Sequence, residues 1–155
     1  MRKDIRLCGR DYERPGIYSV VLVTDQRQRI FAAIQGCALV PTEAGKILEE
    51  EIRSTATHRP NVSIVEYAIL PDHVHLLYRF GGVVPGGLAG VVQGLKAAVT
   101  KRVNRGTGDS DVSIWQANYW ERVVRQGSEV WCWRAYIRAN PRRWVERYGR
   151  AAGGR

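Results

Sequence analysis

Two short apolar runs with a two-residue gap between them constrain the fold of this chain most. Residues 61–70 (NVSIVEYAIL) and 73–80 (HVHLLYRF) are rich in β-branched and aromatic side chains, and only Pro71 and Asp72 separate them. Runs of this length and composition predict strands, and a connection this short favours an antiparallel hairpin. We therefore expect an antiparallel sheet in which these two strands are neighbours.

The rest of the sequence alternates further strands and helices. Hydrophobic periodicity predicts a strand at 17–24, a hairpin at 30–34 and 38–40, helices at 42–56 and 88–103, a strand at 120–125 and a helix that opens at Ser128 and runs through Tyr136. Glycine-rich segments predict a linker at 81–87 and a turn at 106–110. This order predicts an α+β, ferredoxin-like (RRM-like) fold, an antiparallel sheet with helices on one face and Tyr136 on a C-terminal helix.

The length of 155 residues fits one domain. Residues 1–16 are predicted to form an N-terminal arm, 17–126 the sheet and its helices, and 127–155 the last helix and a basic tail. No apolar run is long enough to span a membrane, and the charged N-terminus is unlike a signal peptide. Cys8, Cys37 and Cys132 are odd in number and widely spaced, which favours reduced thiols. We therefore expect a cytoplasmic protein.

The charge of the chain favours a polyanionic partner. The formal net charge is +9, and Arg supplies 20 of the 24 basic residues. Residues 120–155 hold nine Arg and three Glu, and all five Trp lie at or after position 115. Arg interleaved with Trp favours binding of single-stranded nucleic acid, because Arg binds phosphate and an aromatic face stacks on an unpaired base. The alternative is a solvated basic face above tryptophans that pack in the core.

Two of the three histidines form the motif His73-Val74-His75. Side chains alternate along a strand, so both imidazoles are expected on the same face, about 7 Å apart along the backbone. Two neutral imidazoles in this arrangement can share a divalent ion, with a third ligand from elsewhere in the chain. The alternative is a pair of half-buried polar residues on a strand. His58, before Arg59-Pro60 in a predicted loop, is expected to be solvated.

A second group of candidate residues lies on the predicted last helix. Trp133, Tyr136 and Asn140 are three and four residues apart and therefore share a helix face. Pro141 disfavours the α conformation of the residue before it, so the helix is expected to end near Asn140. The amide oxygen of Asn140 can bind a hard cation.

Four stretches resemble, in the right order, the motifs of single-tyrosine transposases with a His-hydrophobic-His (HUH) motif. They are YAILPDHVHLL at 67–77, WQANYWERVVR at 115–125, AYIRANP at 135–141, and an opening with RLCGRDY at 6–12 and PGIY at 15–18. The opening and GLKAAVT at 94–100 are similar to the branch called REP-associated tyrosine transposases. Position 72 departs from the resemblance, since it is Asp where this branch more often has Asn.

The resemblance implies a chemistry for the candidate residues. His73, His75 and Asn140 would bind Mg²⁺ or Mn²⁺, which would polarise a phosphate of single-stranded DNA. Tyr136 would attack that phosphate, form a 5′-phosphotyrosine link and release a 3′-hydroxyl. Attack by a 3′-hydroxyl on this link would rejoin strands.

The resemblance also implies recognition of DNA hairpins in the bacterial cytoplasm, in association with the nucleoid, by a monomer or a homodimer. The candidate DNA-binding residues are basic side chains of the second and third predicted helices and of the last strand: Lys96, Lys101, Arg122, Arg125, Arg134, Arg138, Arg142 and Arg143. Two rival functions remain open on the sequence alone. One is a non-catalytic, domesticated hairpin-binding protein, and the other is a metal-dependent protein that binds or cleaves RNA.

Overall fold

The computed structural model describes residues 14–108 and 112–152, with backbone alone for 150–152. The elements, in chain order, are β1 (Gly16–Val23), β2 (Ala32–Gln35), β3 (Ala38–Pro41), α1 (Glu43–His58), β4 (Val62–Ile69), β5 (His73–Phe80), α2 (Gly87–Thr107), β6 (Trp120–Val124) and α3 (Ser128–Ala152). The strands and helices predicted from the periodicity are all present. His58 is exposed as expected, but it lies in the last turn of α1 instead of a loop.

The main sheet has four antiparallel strands in the order β4-β5-β1-β6. β4 and β5 are neighbours, and the amide of Leu70 donates to the carbonyl of His73 at 2.8 Å to close their short connection. β2 and β3 form a separate two-stranded sheet. The predicted α+β, ferredoxin-like fold class is confirmed.

The alternation of side chains divides the molecule into two apolar clusters. Even-numbered residues of β1 and β5, such as Val20 and Leu76, pack with α1 and α2. Odd-numbered residues of the same strands, such as Ile17 and Leu77, pack with Ile137 and Trp144 of α3. The two helices of the ferredoxin-like unit thus cover one face of the sheet, and the C-terminal helix covers the opposite face.

The last helix does not end at Asn140. The sequence predicts an end there because of Pro141, but α3 continues through Pro141 to Ala152. The turns beyond the proline are held by packing: Trp144 is buried against the sheet and stacks on Tyr148 with ring centroids 4.4 Å apart. The guanidinium of Arg29 lies over both rings, 5.2 Å and 4.9 Å from their centroids. These contacts outweigh the local preference of the residue before a proline.

The turn predicted at 106–110 and the predicted N-terminal arm lie partly or largely outside the described residues. α2 continues through Thr107, so the turn predicted at 106–110 begins only at Gly108, where φ is +77°. Residues 109–111 lie outside the described residues, as do residues 1–13 of the predicted N-terminal arm, Cys8 among them.

Cys37 and Cys132 are free and exposed. In the described part of the chain, no helix is both long enough and apolar enough to cross a membrane.

Candidate active site

The two motif histidines lie side by side on the face of the sheet that α3 covers. Their ring centroids are 5.0 Å apart, as the alternation along β5 predicts. His75 pairs with Val21 of β1, and Val21 pairs with Trp120 of β6, so these three side chains form one row across the sheet.

The imidazole of His73 is held from one side by Asp72. Oδ1 of the buried Asp72 lies 2.6 Å from Nδ1 of His73, and Oδ2 lies 3.5 Å from Nη1 of Arg27. A carboxylate next to Nδ1 favours the tautomer with the proton on that nitrogen, which leaves the lone pair of Nε2 available. The contact with Asp72 therefore leaves Nε2 of His73 able to accept a hydrogen bond or to bind a cation.

The imidazole of His75 is buried and neutral. Burial, with a smaller electrostatic effect from the neighbouring His73, lowers the pKa of His75 to about 4. Its Nδ1 is buried without a hydrogen-bond partner among the described residues. A neutral imidazole is the form that binds metal ions.

Tyr136 projects from α3 over this pair. Its ring meets the ring of His75 edge-on, with centroids 5.7 Å apart and an interplanar angle of 89°. The side chain is 42% exposed, so its hydroxyl is open to a substrate. The guanidinium carbon of Arg143 lies 5.5 Å from the centroid of the Tyr136 ring, which places a positive charge beside the tyrosine.

Asn140 lies one helical turn after Tyr136 and faces the same space. Its Nδ2 donates to the carbonyl of Tyr136 at 2.8 Å, so the amide oxygen remains free to accept or to bind a cation. Among the described residues, no group of three His, Cys, Asp or Glu side chains is arranged so that it could hold a metal ion. Two imidazoles and one amide oxygen are a different set, and all three are donor types that a divalent ion can use.

These residues line one cavity of about 390 Å³ between α3 and the sheet, here called the basic cavity. Three arginines also line it, one from the turn after β1 and two from α3: Arg27, Arg143 and Arg147. Its other lining residues are Val21, Val23, Leu70, His73, His75, Trp120, Tyr136, Asn140, Trp144 and Tyr148. The cavity thus combines a hydroxyl, two imidazoles, an amide and three guanidiniums, which suits a phosphate group.

Comparison with known proteins identifies the family. The family described as "Transposase IS200 like" matches residues 16–140. The chain belongs to the IS200-like transposases. An uncharacterized protein of Haemophilus influenzae (strain ATCC 51907 / DSM 11121 / KW20 / Rd) is 23% identical over 165 residues, which cover 94% of this chain and 91% of that protein.

Two solved structures share the fold of this transposase. One is a REP-associated tyrosine transposase bound to a REP hairpin, with a TM-score of 0.63, 19% identity, and coverage of 88% of this chain and 72% of that one. The other is a candidate transposase from Deinococcus radiodurans R1, with a TM-score of 0.52, 22% identity, and coverage of 89% and 96%.

The basic residues singled out from the sequence are spread over the transposase, and only Arg143 lines the basic cavity. Arg122 is exposed on the same face of the sheet, because it lies two residues after Trp120 on β6, where it pairs with Ser19. Arg125 is exposed just beyond β6.

The remaining predicted DNA-binding residues point elsewhere or have acidic partners. Lys101 is exposed on α2, on the other side of the sheet. Lys96 is buried and donates to the carbonyl of Gln116 at 2.7 Å, and burial lowers its pKa. Three further predicted arginines, all on α3, lie near carboxylates. The Nε to Oε distances are 3.6 Å (Arg134 to Glu66), 2.7 Å (Arg138 to Glu66) and 3.5 Å (Arg142 to Glu146).

The sequence left two roles open for the tryptophans, stacking on unpaired bases or packing in the core, and the structure divides them between an exposed and a buried group. Trp115 and Trp144 are buried in the two apolar clusters. Trp120 and Trp131 are 59% and 67% exposed, and Trp120 lines the basic cavity.

Sequence reasoning missed two of the three arginines in the basic cavity. Arg147 lies seven residues after Asn140, so helical spacing would have found it had the helix been continued past Pro141. Arg27 lies in a short turn after β1, and nothing in the local sequence links it to Asp72.

Proposed function

We propose that this protein is a metal-dependent transposase and nuclease of single-stranded DNA that cleaves and rejoins strands through Tyr136. The observation that carries the proposal is the presence of Tyr136, His73, His75 and Asn140 around one cavity with three arginines. The match of the family to residues 16–140 supports it, because all four residues lie within that range.

The ion would be held by the two histidines and the asparagine. His73, His75 and Asn140 offer two ring nitrogens and an amide oxygen, a set that Mg²⁺ or Mn²⁺ can use. A bound ion would act as a Lewis acid that polarises the scissile phosphate and stabilises charge on its oxygens. Asp72 fixes the orientation of His73, and burial keeps His75 neutral, so both imidazoles would be ready to bind.

The side chains of this protein would carry out strand cleavage. The hydroxyl oxygen of Tyr136 attacks phosphorus, the P–O3′ bond breaks, and the departing 3′-oxygen takes up a proton while the tyrosine loses its own. Arg27, Arg143 and Arg147 neutralise the phosphate oxygens as charge builds on them. Attack by a 3′-hydroxyl on the 5′-phosphotyrosine reverses the step and restores Tyr136, so strand transfer needs no external energy source.

The proposed substrate is single-stranded DNA that folds into hairpins. The net charge of +9 favours a nucleic acid, and the solved REP-associated tyrosine transposase with the same fold is bound to a REP hairpin. We therefore propose that this chain belongs to the REP-associated branch and acts on DNA in the cytoplasm, in association with the nucleoid, as a monomer or homodimer.

A covalent-adduct assay tests the proposal. Purified protein is incubated with Mn²⁺ and end-labelled single-stranded hairpins from both flanks of its gene, and denaturant-resistant protein–DNA bands are counted. We expect a band that Tyr136→Phe and a chelator both abolish. Tyr67→Phe is the matched control, because Tyr67 lies on β4 and bonds Glu49 and Arg53 away from the basic cavity.

The other outcomes separate the rival functions. Tight hairpin binding with no adduct under any divalent metal would favour a non-catalytic hairpin-binding protein. Equal or better binding and cleavage of a matched RNA hairpin would favour an RNA-directed function. An adduct that persists in Tyr136→Phe would show that another residue is the nucleophile.

A further inference from the structure

We propose that a shallow apolar recess beside Tyr136 binds the unpaired nucleobase next to the scissile phosphate, and that Glu129 makes it select a base with an exocyclic amino group. This inference rests on the proposed role of Tyr136 and deepens it, because it assigns a base-selecting site to the same reaction. The recess lies on the side of Tyr136 that faces away from the three arginines of the basic cavity.

The recess is a second cavity, of about 400 Å³, on the N-terminal side of Tyr136. It is lined by Val21, His75, Glu129, Cys132, Trp133 and Tyr136. Val21, His75 and Tyr136 line the basic cavity as well, so the two spaces adjoin each other along the sheet. A nucleotide with its phosphate in the basic cavity would therefore have its sugar and base within reach of the recess.

The lining residues of α3 change in character along one stripe of the helix. Glu129 and Trp133 lie before Tyr136, and Asn140 and Arg143 follow it, all at spacings of three or four residues that share a helix face. The stripe is thus acidic and apolar before the tyrosine and polar and basic after it. The basic end attracts the phosphate, and the other end repels it, which leaves the base as the part of the nucleotide that fits the recess.

Trp133 provides the aromatic surface of the recess. Its ring is perpendicular to that of Tyr136, at 87° with centroids 5.9 Å apart, so the two rings meet edge-on and are not stacked on each other. One side of Trp133 packs against the apolar cluster beneath α3, which holds the ring in place. A fixed indole at the rim of a single-strand site is a stacking surface for an unpaired base.

Glu129 provides the one carboxylate of the recess. A carboxylate accepts a hydrogen bond from an exocyclic amino group, as in the pairing of Glu or Asp with N4 of cytosine. Cytosine, adenine and guanine carry such a group, whereas thymine has none and offers only the N3–H as a donor. The recess is therefore expected to favour cytosine, adenine or guanine over thymine.

A purely structural role for Glu129 makes a different prediction. Glu129 lies in the first turn of α3, where a negative charge also stabilises the helix. Loss of that effect would lower the thermal stability of the protein and leave base preference unchanged. Base preference is therefore the measurement that separates the two roles.

The first arm of the test sequences the covalent adducts. Wild-type protein and Mn²⁺ are given hairpins whose single-stranded flanks are randomised, and the bases on both sides of each cut are read. We expect a preference for cytosine, adenine or guanine over thymine at one of these positions. Glu129→Gln should flatten this preference at least about fivefold, because the Gln amide can also donate to a carbonyl oxygen of thymine. Trp133→Leu should lower adduct yield about tenfold on substrates with a base at that position, and leave yield unchanged on an abasic substrate.

Matched variants control for charge and aromatic content. Glu146→Gln removes a carboxylate of α3 that is paired with Arg142 on the surface, and Trp131→Leu removes an exposed tryptophan whose face is covered by Arg134. Both should keep the wild-type preference. A preference that is the same in wild type, Glu129→Gln and Trp133→Leu would overturn the proposal.

The second arm does not need cleavage. Tyr136→Phe protein is irradiated with single strands in which 5-iodocytosine replaces cytosine, and the cross-linked residue is assigned by peptide fragmentation. A cross-link on Trp133 supports the recess as a base site even if no adduct forms with wild-type protein, in which case only the proposed catalysis fails. Cross-links confined to other residues would overturn the inference whether or not the protein cleaves DNA.

Discussion

The carboxylate of Asp72 lies 2.6 Å from Nδ1 of His73, the residue that follows it in the chain. Asp72 is buried in the three-residue connection between β4 and β5, so the same short segment sets the strand pairing and orients an imidazole.

The Asp72 contact leads to a first prediction. Asp72→Ala removes the group that orients His73 and should weaken Mn²⁺ binding about 10- to 100-fold. Asp72→Asn keeps an acceptor oxygen and should have a smaller effect. Calorimetric titration with Mn²⁺ measures both, with exposed Asp25→Asn as the control. Equal affinity of Asp72→Ala and wild type would show that the contact does not support metal binding.

Adjacent arginines on α3 provide a second prediction. Arg143 lies over the ring of Tyr136 and lines the basic cavity, whereas Arg142 is paired with Glu146 on the surface. Arg143→Ala should slow single-turnover adduct formation about 100-fold, because a charge that stabilises the phosphate oxygens is lost. Arg142→Ala should stay within about twofold of wild type. A similar loss in both variants would indicate a diffuse effect of net charge.

The buried hydroxyl of Tyr78 provides a third prediction, on pH dependence. Burial raises the pKa of Tyr78 well above 10, and its hydroxyl has no hydrogen-bond partner among the described residues. The unfolded chain releases this proton near pH 10 and the folded protein does not, so stability from this group is lost as the pH rises above about 10. Urea unfolding at pH 8 and 10.5 should show a smaller alkaline loss in Tyr78→Phe.

The same variant makes a second comparison possible at pH 8. An unpaired buried hydroxyl is unfavourable. The free energy of unfolding of Tyr78→Phe should therefore lie between the wild-type value and about 1 kcal/mol above it. A loss of stability at pH 8 would mean that the hydroxyl has a partner, such as a buried water.

Two helical glycines provide a fourth prediction with opposite signs. A Cβ on Gly45, in the first turn of α1, would overlap the carbonyl oxygen of Phe31, whereas a Cβ on Gly106, near the end of α2, would meet nothing within 4 Å. Gly45→Ala should lower the free energy of unfolding by about 3 kcal/mol, and Gly106→Ala should raise it by about 0.5–1 kcal/mol. Thermal and urea unfolding of the two variants measure this contrast.

Local patterns in the sequence were sufficient for the strands, the helices and the alignment of the candidate side chains within each element. The period of two along β5 places His73 and His75 on one face, and the period of 3.6 along α3 aligns Trp133, Tyr136 and Asn140. Each of these relations lies within one element, where backbone geometry alone sets the side-chain direction.

Relations between elements could not be predicted in this way. Which face of the sheet α3 covers depends on the packing of Ile137 and Trp144, and that same packing carries the helix past Pro141. Arg27 reaches Asp72 only because the turn after β1 lies beside the β4–β5 connection. Lys96 lies on a helix face that the sequence predicts to be basic. In the structure it is buried and donates to the carbonyl of Gln116.

The proposed nucleophile and the two proposed metal-ligating histidines belong to different parts of the fold, and this division should affect how activity responds to heat. Tyr136 is joined to the sheet through the apolar contacts of α3, whereas His73 and His75 are fixed within the four-stranded sheet. Detachment of α3 would separate the tyrosine from the histidines while the sheet and its two other helices stay folded. Cleavage should therefore be lost at a lower temperature than the main unfolding transition, and the interval between the two would measure how firmly the helix is docked.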